Sequence, residues 1–158
     1  GGIPLPGGAV YIERERLKGP KWETAVSLSG PGSNLGLAML LSIPLRLGLY
    51  GNDAFWAGYA MFVHLQIIAV VLNLLPIPPL DGFGAIEPWL NWRTRAKIRP
   101  YERYGILVLL AIFFLPNPIR GWFRQFVNYL AFDLLHVPRL LAAEGWDNFM
   151  ILGGLFGG

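Results

Sequence analysis

Two long apolar stretches separate the polar and charged segments in the first half of the chain. Residues 35–50 and 54–75 carry almost no charge, apart from Arg46 near the end of the first stretch. An apolar helix on the order of 20 residues is long enough to cross a bilayer, so the pattern predicts two transmembrane helices. Between them, Gly51-Asn52-Asp53 has the composition of a tight turn.

The pattern is weaker in the second half of the chain. Residues 104–115 form a third apolar run of about a dozen residues, which is short for a complete span, so two to three transmembrane helices are predicted. Residues 123–141 repeat apolar positions at helical spacing, as an amphipathic helix in the membrane interface does, although Pro138 interrupts the repeat. The Gly-rich residues 145–158 predict a loosely ordered, peripheral tail.

These elements together predict an all-α integral membrane protein with one domain over residues 1–158. Near the N-terminus, Val10–Arg16 alternates apolar and polar positions and predicts a short β or extended segment, which we interpret as a surface hairpin. The expected order is an extended and juxtamembrane segment at 1–29, a helix at 30–50, a helix at 54–92 broken at Pro76–Gly82, a basic loop at 93–103, C-terminal helices at 104–144 and the tail at 145–158.

Composition and charge agree with a membrane protein. The chain is 54% hydrophobic and only 15% charged, with a net charge of +3, and it contains no cysteine for a disulfide or a thiolate ligand. Its densest basic cluster, within 93–103, follows an apolar span, so the positive-inside rule places it in the cytoplasm with Arg14–Lys21 on the same side. A nucleic-acid partner is not expected, because no aromatic-rich recognition surface accompanies the cluster.

The end of the second span presents a carboxylate. Pro76, Pro78 and Pro79 prevent a regular helix there, and Asp81 follows at once. A carboxylate so close to a hydrophobic span is costly unless it is paired, solvated in a cavity or bound to a metal. The sequence therefore predicts an unwound helix end that presents Asp81 to a polar pocket.

Two short motifs resemble those of the site-2 protease family, which are zinc metalloproteases that cut substrates within the membrane. The pattern Asn-x-x-Pro-x-x-x-Leu-Asp-Gly and the earlier Gly-Pro-x-x-Asn are matched by Asn73, Pro76, Leu80, Asp81 and Gly82, and by Gly30, Pro31 and Asn34. The resemblance covers about residues 7–115. It implies that Asp81 is a zinc ligand, that Asn73 hydrogen-bonds the substrate carbonyl or its oxyanion, and that Gly82 allows close backbone approach. A helix is expected to begin at Gly30-Pro31, capped by Ser33 or Asn34.

The chain departs from the family at the zinc-binding helix, because it contains no His-Glu-x-x-His. Its two histidines are His64, in the second span, and His136. A zinc site built from His64, His136 and Asp81 is conceivable, although no ligand-pair spacing supports it. The alternative for His64 is an interhelical hydrogen bond that only holds packing. We therefore expect this chain alone to bind zinc weakly and to lack peptidase activity.

Two functions follow from the resemblance. In the first, the chain is the C-terminal part of a zinc protease core whose His-Glu-x-x-His segment lies upstream, and it acts on a transmembrane peptide substrate in the lipid bilayer. In the second, it is a catalytically inactive structural subunit that packs against neighbouring membrane subunits. A transporter or channel is disfavoured, because the chain offers one plausible pore-lining acid and few spans.

Overall fold

The computed structural model describes residues 19–114 and 118–156, with side chains through residue 150. All regular structure within these ranges is helical, and no strand occurs among them. The predicted all-α membrane fold is thereby confirmed. The strand predicted for Val10–Arg16 lies outside the described residues.

Two helices in the first half of the chain are long and apolar enough to cross a membrane. Helix α1 spans Pro20–Arg46 and helix α2 spans Ala54–Asn73, with 27 and 20 residues. The Asp53 side chain accepts a hydrogen bond from the backbone N–H of Trp56 at 3.1 Å, so a carboxylate caps the start of α2.

The second half of the chain consists of shorter helices. The helical segments at 92–114 and 118–134 are bent by 80° relative to each other. Counted as one broken helix, they would add a third span. The remaining elements are α3 (Asp81–Ile86), a 3₁₀ turn (Glu87–Trp89), α4 (Trp92–Ile98), a second 3₁₀ turn (Arg99–Tyr104), α5 (Gly105–Phe114), α6 (Pro118–Asn128), a π-helical stretch (Tyr129–Leu134) and α7 (Arg139–Phe156).

The prediction that a helix begins at Gly30 was wrong. Helix α1 already begins at Pro20, where proline is favourable because the first N–H groups of a helix have no intrahelical acceptor. Pro31 lies buried inside α1. An interior proline is tolerated in a helix that packs in a membrane protein, since neighbouring helices compensate locally for the lost hydrogen bond.

Two further segments predicted to be irregular are helical. The basic loop at 93–103 is formed by α4 and the 3₁₀ turn after it, and Asn91 caps α4 by accepting from the Thr94 N–H at 2.8 Å. Residues 145–156 of the expected loose tail belong to α7. There the backbone of Gly145 lies directly against the carbonyl of Ala57 in α2, with no room for a side chain. Gly145 therefore allows close helix packing.

Helix α2 lies at the centre of the bundle. It contacts α1 and α7 through its small and branched residues, and α6 with the π-helical stretch adds further apolar side chains. The buried cluster contains Ala38, Leu45, Ala60, Val63, Ile67, Val71, Phe123, Val127, Ala131, Leu135, Val137, Leu141 and Ala142. This packing fixes the end of α2, where the motif residues begin.

Candidate active site at the end of the second span

Tight turns replace the helix over residues 74–80, between the end of α2 at Asn73 and the start of α3 at Asp81, whereas the break was predicted at Pro76–Gly82. After Asn73, the Leu74 N–H donates to the Val70 carbonyl at 3.0 Å, and the Leu75 N–H donates to Leu72 at 3.1 Å. The Leu80 N–H then donates to the Ile77 carbonyl at 2.8 Å. The irregular backbone therefore satisfies several of its own polar groups, as unwound backbone at membrane depth must.

These turns bring the start of α3 back against the end of α2. A Cβ atom on Gly82 would overlap the backbone of Leu74 and Leu75, so only glycine fits at this position. Asn73 directly precedes Leu74, and Asp81 directly precedes Gly82. The turn thus places both predicted site residues at the same end of α2.

The Asp81 carboxylate lies beside the other motif. Its Oδ2 atom is 3.3 Å from the position that a Cβ on Gly30 would occupy, so the missing side chain of Gly30 makes room for the carboxylate. At a rise of 1.5 Å per residue, Gly30 is about 15 Å along α1 from Pro20. Asp81 is half-buried and Gly30 is exposed, which leaves the carboxylate accessible from outside the described helices.

Helix α3 is held along α1 by contacts at successive turns. The Thr24 hydroxyl donates to the Ala85 carbonyl at 2.8 Å and accepts from the Trp89 indole N–H at 2.8 Å. A Cβ on Gly84 would be 2.8 Å from the Ser27 hydroxyl. Small or polar residues at 24, 27 and 30 of α1 therefore form the track on which α3 lies, and this track positions Asp81.

This track is not among the features predicted from the sequence. Its signal is Thr24, Ser27 and Gly30 at helical spacing, since small residues mark close helix packing in membranes. The predicted segment 1–29 lies outside the first helix, so these three residues do not stand on one predicted helix face.

The other motif residues are nearby in the chain but make no hydrogen bond to Asp81. Pro31 is buried, whereas Asn34 and Asn73 are half-buried. All three side chains, Asn34, Asn73 and Asp81, belong to the described part of the chain, and no hydrogen bond links them. The structure therefore places Gly30 beside Asp81, and the roles of Asn34 and Asn73 stay predictions.

The two histidines do not join the carboxylate. His64 Nδ1 accepts from the Trp146 indole N–H at 3.1 Å, and its ring lies 5.1 Å from that of Phe132. His136 is exposed, with its Nδ1 atom 3.0 Å from the Leu134 carbonyl oxygen. Within residues 19–114 and 118–156, no three His, Cys, Asp or Glu side chains are grouped to hold a metal ion. Among the described residues, the candidate site thus contains a single carboxylate that could bind zinc, that of Asp81. His64 instead makes an interhelical hydrogen bond, which is the alternative role considered for it.

An apolar groove of about 470 Å³ lies next to the unwound segment. Leu35 and Met39 of α1 form one side, and residues of α6 and the π-helical stretch, including Trp122, form the other. Its end is lined by 74–76, directly after Asn73. An apolar surface therefore leads to the candidate site.

Known proteins resemble this chain over most of its length. It is 45% identical over 147 residues to "Putative zinc metalloprotease Rip2" of Mycobacterium tuberculosis strain H37Rv, an alignment covering 92% of this chain and 55% of the relative. It is 34% identical over 121 residues to "Putative zinc metalloprotease YwhC" of Bacillus subtilis, covering 72% and 53%. The chain belongs to the site-2 protease family.

The chain spans about half the length of these curated relatives. A third relative, "Putative zinc metalloprotease MJ0611" of Methanocaldococcus jannaschii, is 35% identical over 85 residues, which cover 54% of this chain and 41% of the relative. No protein-family model and no solved structure matches the chain. The family membership and the apolar helices together indicate an integral membrane protein, and the names of the relatives associate the family with zinc.

Proposed function

We propose that this chain contributes the Leu80-Asp81-Gly82 segment of a zinc-dependent intramembrane protease, in which Asp81 is one of the metal ligands. The position of Asp81 carries this proposal. Its carboxylate is held beside Gly30, part-way along a helix that is long enough to span the membrane. A carboxylate at such depth is costly without a compensating cation, and carboxylate oxygen is an accepted zinc ligand.

A complete site requires more than the described residues supply. A catalytic zinc is held by three protein ligands and keeps one open position, whereas Asp81 is a single ligand. The proposal therefore assigns the remaining ligands and the general base to a His-Glu-x-x-His segment elsewhere in the complete protein. The exposed surface at Gly30 supports this assignment, because it leaves the carboxylate open to another helix.

The proposed substrate is a membrane-embedded peptide. The apolar groove that ends at Leu74, Leu75 and Pro76 supports this choice, since its lining suits an apolar segment more than a polar one. Asn73, at the C-terminal end of α2, is assigned to hydrogen-bond the scissile carbonyl or the oxyanion that develops from it.

The proposed orientation places the basic residues within 93–103 in the cytoplasm. Contacts of Thr24 with Ala85 and Trp89 support a common side for the start of α1 and the basic helix α4. Both segments carry positive charge, as cytoplasmic flanks of transmembrane helices do.

Substitution of Asp81 tests the ligand assignment in the complete protein. We expect Asp81→Ala to abolish substrate cleavage and Asp81→Asn to do nearly as much harm, because an amide keeps the shape of the side chain but not its charge. Cleavage of a membrane-embedded substrate by zinc-loaded protein in detergent is the measurement. Asp53→Asn is the matched control, since Asp and Asn cap helices about equally well, and it should cleave normally.

Two results would contradict the proposal in different ways. Normal cleavage by Asp81→Asn would leave Asp81 with only a structural role at the start of α3. Absence of cleavage and of stoichiometric zinc in the unsubstituted complete protein would identify it as an inactive structural subunit.

For Asn73→Ala we expect a milder loss of cleavage rate, roughly 10²–10³-fold, as for one oxyanion donor.

A further inference from the structure

A polar cleft of about 650 Å³ lies between α3 and α4. Leu80, Phe83 and Glu87 form one wall at helical spacing, and the prolines at 78 and 79 form the floor. The opposite wall belongs to α4 and the 3₁₀ turn after it, and it contains Trp92, Arg95, Ala96, Arg99 and Glu102. The cleft has the size of a small-molecule site. Leu80 borders it, whereas Asn73 and Asp81 are not among its lining residues.

Three charged side chains of this cleft, those of Arg95, Arg99 and Glu102, have no hydrogen-bond or ion-pair partner within the described residues. The Nε atom of Arg95 is shielded from solvent and has no hydrogen-bond acceptor. Arg95, Arg99 and Glu102 form no ion pair with any residue in the described ranges, whereas Glu87 has an interaction of its own. A buried donor without an acceptor is unfavourable, so the cleft is suited to a ligand that carries both an acceptor and a donor.

The surroundings of the cleft are those of a membrane interface. Trp89, Trp92 and Tyr101 are 60%, 73% and 69% exposed, and exposed Trp and Tyr are typical of the headgroup level. Helix α5 starts directly after the cleft with exposed apolar side chains, including those of Ile106 and Leu107. A headgroup in the cleft would therefore have a surface beside it for its acyl chains.

Helix α5 begins against one of the prolines that line the cleft. The backbone of Gly105 lies against the carbonyl of Pro78, so closely that a side chain would not fit. This contact places the first residue of the apolar helix α5 beside the polar cleft. A phospholipid, which is polar at one end and apolar at the other, matches this arrangement.

We propose that this cleft binds the headgroup of a membrane phospholipid that carries both a phosphate and a primary ammonium. Arg95 and Arg99 bind the phosphate, because guanidinium groups match its oxygens in pairs. Glu102 accepts hydrogen bonds from the ammonium. The cleft thus offers donors for a phosphate and, at Glu102, an acceptor for an ammonium, which suits a headgroup that carries both groups.

Lipid retention by the purified protein tests this site without any protease assay. Protein in detergent is exposed separately to phosphatidylethanolamine, phosphatidylcholine and phosphatidylglycerol of equal chain length, and native mass spectrometry measures the bound lipid. We expect phosphatidylethanolamine to be retained about tenfold better than the other two. Phosphatidylcholine has the phosphate but no ammonium N–H, and phosphatidylglycerol has no ammonium at all.

Single substitutions assign the two halves of the headgroup. Arg95→Gln should lower retention of all three lipids, whereas Glu102→Gln should remove only the preference for phosphatidylethanolamine. Arg95→Lys keeps the charge but not the buried Nε–H, and should also weaken binding. Lys97→Gln is the matched control, because Lys97 is an exposed residue of α4 outside the cleft, and it should behave as the unsubstituted protein.

The outcomes that overturn the site are equally specific. Equal retention of phosphatidylethanolamine and phosphatidylcholine, or a preference for phosphatidylglycerol, would rule out recognition of a zwitterion with a primary ammonium. A loss in Lys97→Gln as large as in Arg95→Gln would show that overall charge controls binding. Helical circular dichroism confirms that each variant is folded; if Arg95→Gln does not fold, Arg95→Lys and Glu102→Gln decide.

Discussion

Gly82 lies where the chain turns back on α2, and the carbonyls of Leu74 and Leu75 fill the space in which a side chain would stand. We expect Gly82→Ala to destabilise the protein by about 1–3 kcal/mol, because the added methyl group must displace backbone. Thermal unfolding in detergent measures the loss. The same displacement moves Asp81, so cleavage by the complete protein should fall as well.

Gly58→Ala provides the control for this substitution. Gly58 is also helical, but a Cβ atom there would meet nothing within 4 Å. Alanine should be neutral or stabilise α2 by about 0.5–1 kcal/mol, as in other helix interiors. A similar loss of stability in both variants would show that the Gly82 contact has no special importance.

A motif can mark single residues, but it does not specify the neighbours that packing gives them. The motif marked Asp81 and Gly82, whose roles stay predictions, and the structure places Gly82 against the backbone of Leu74 and Leu75. The approach of Asp81 to Gly30 depends on how α3 packs along α1, which no local pattern specifies. For the same reason the hydrogen bond between His64 and Trp146 could not be predicted, since it depends on where α7 docks.

At the scale of elements, the Thr24 hydroxyl links α1 both to α3 and to the 3₁₀ turn that follows it. Thr24→Val removes the hydrogen bonds to the Ala85 carbonyl and from the Trp89 indole while preserving side-chain shape. We expect a loss of about 1–2 kcal/mol in the free energy of unfolding, measured by denaturant or thermal unfolding in detergent.

Ser33→Ala is the comparison for Thr24→Val. The Ser33 hydroxyl bonds only to the Ser29 carbonyl within α1, so its removal leaves the contact between helices unchanged. If Ser33→Ala costs as much as Thr24→Val, the hydroxyl of Thr24 does not hold α3 in place.

Helices were predicted reliably where an apolar run is long and poorly where composition alone suggested irregular structure. The span at α2 and its break at the prolines follow from hydrophobicity and from the missing N–H groups. The start of α1, the basic helix α4 and the Gly-rich part of α7 did not follow, because packing against a neighbour overrides local preference. Gly145 shows this clearly, since its contact with Ala57 requires glycine.

For the whole molecule, the two-span arrangement makes a prediction about sidedness. The chain contains no cysteine, so single cysteines at Lys21, Asn52 and Lys97 report on topology directly. On intact cells, an impermeant maleimide should label the cysteine at position 52, and those at 21 and 97 should react only after permeabilisation. Labelling of all three positions from one side would contradict the crossing of α1 and α2.

The close contact between Gly145 and Ala57 has a consequence for biogenesis. Helices α1 and α2 are synthesised before α7 and are apolar enough to insert as a hairpin before α7 exists, after which helix association proceeds within the bilayer. Helix α7 can then dock on an α2 that is already in place. Until it docks, the Nδ1 atom of His64 lacks its indole donor. A nascent chain therefore makes the hydrogen bond between His64 and Trp146 only after α7 has assembled on α2.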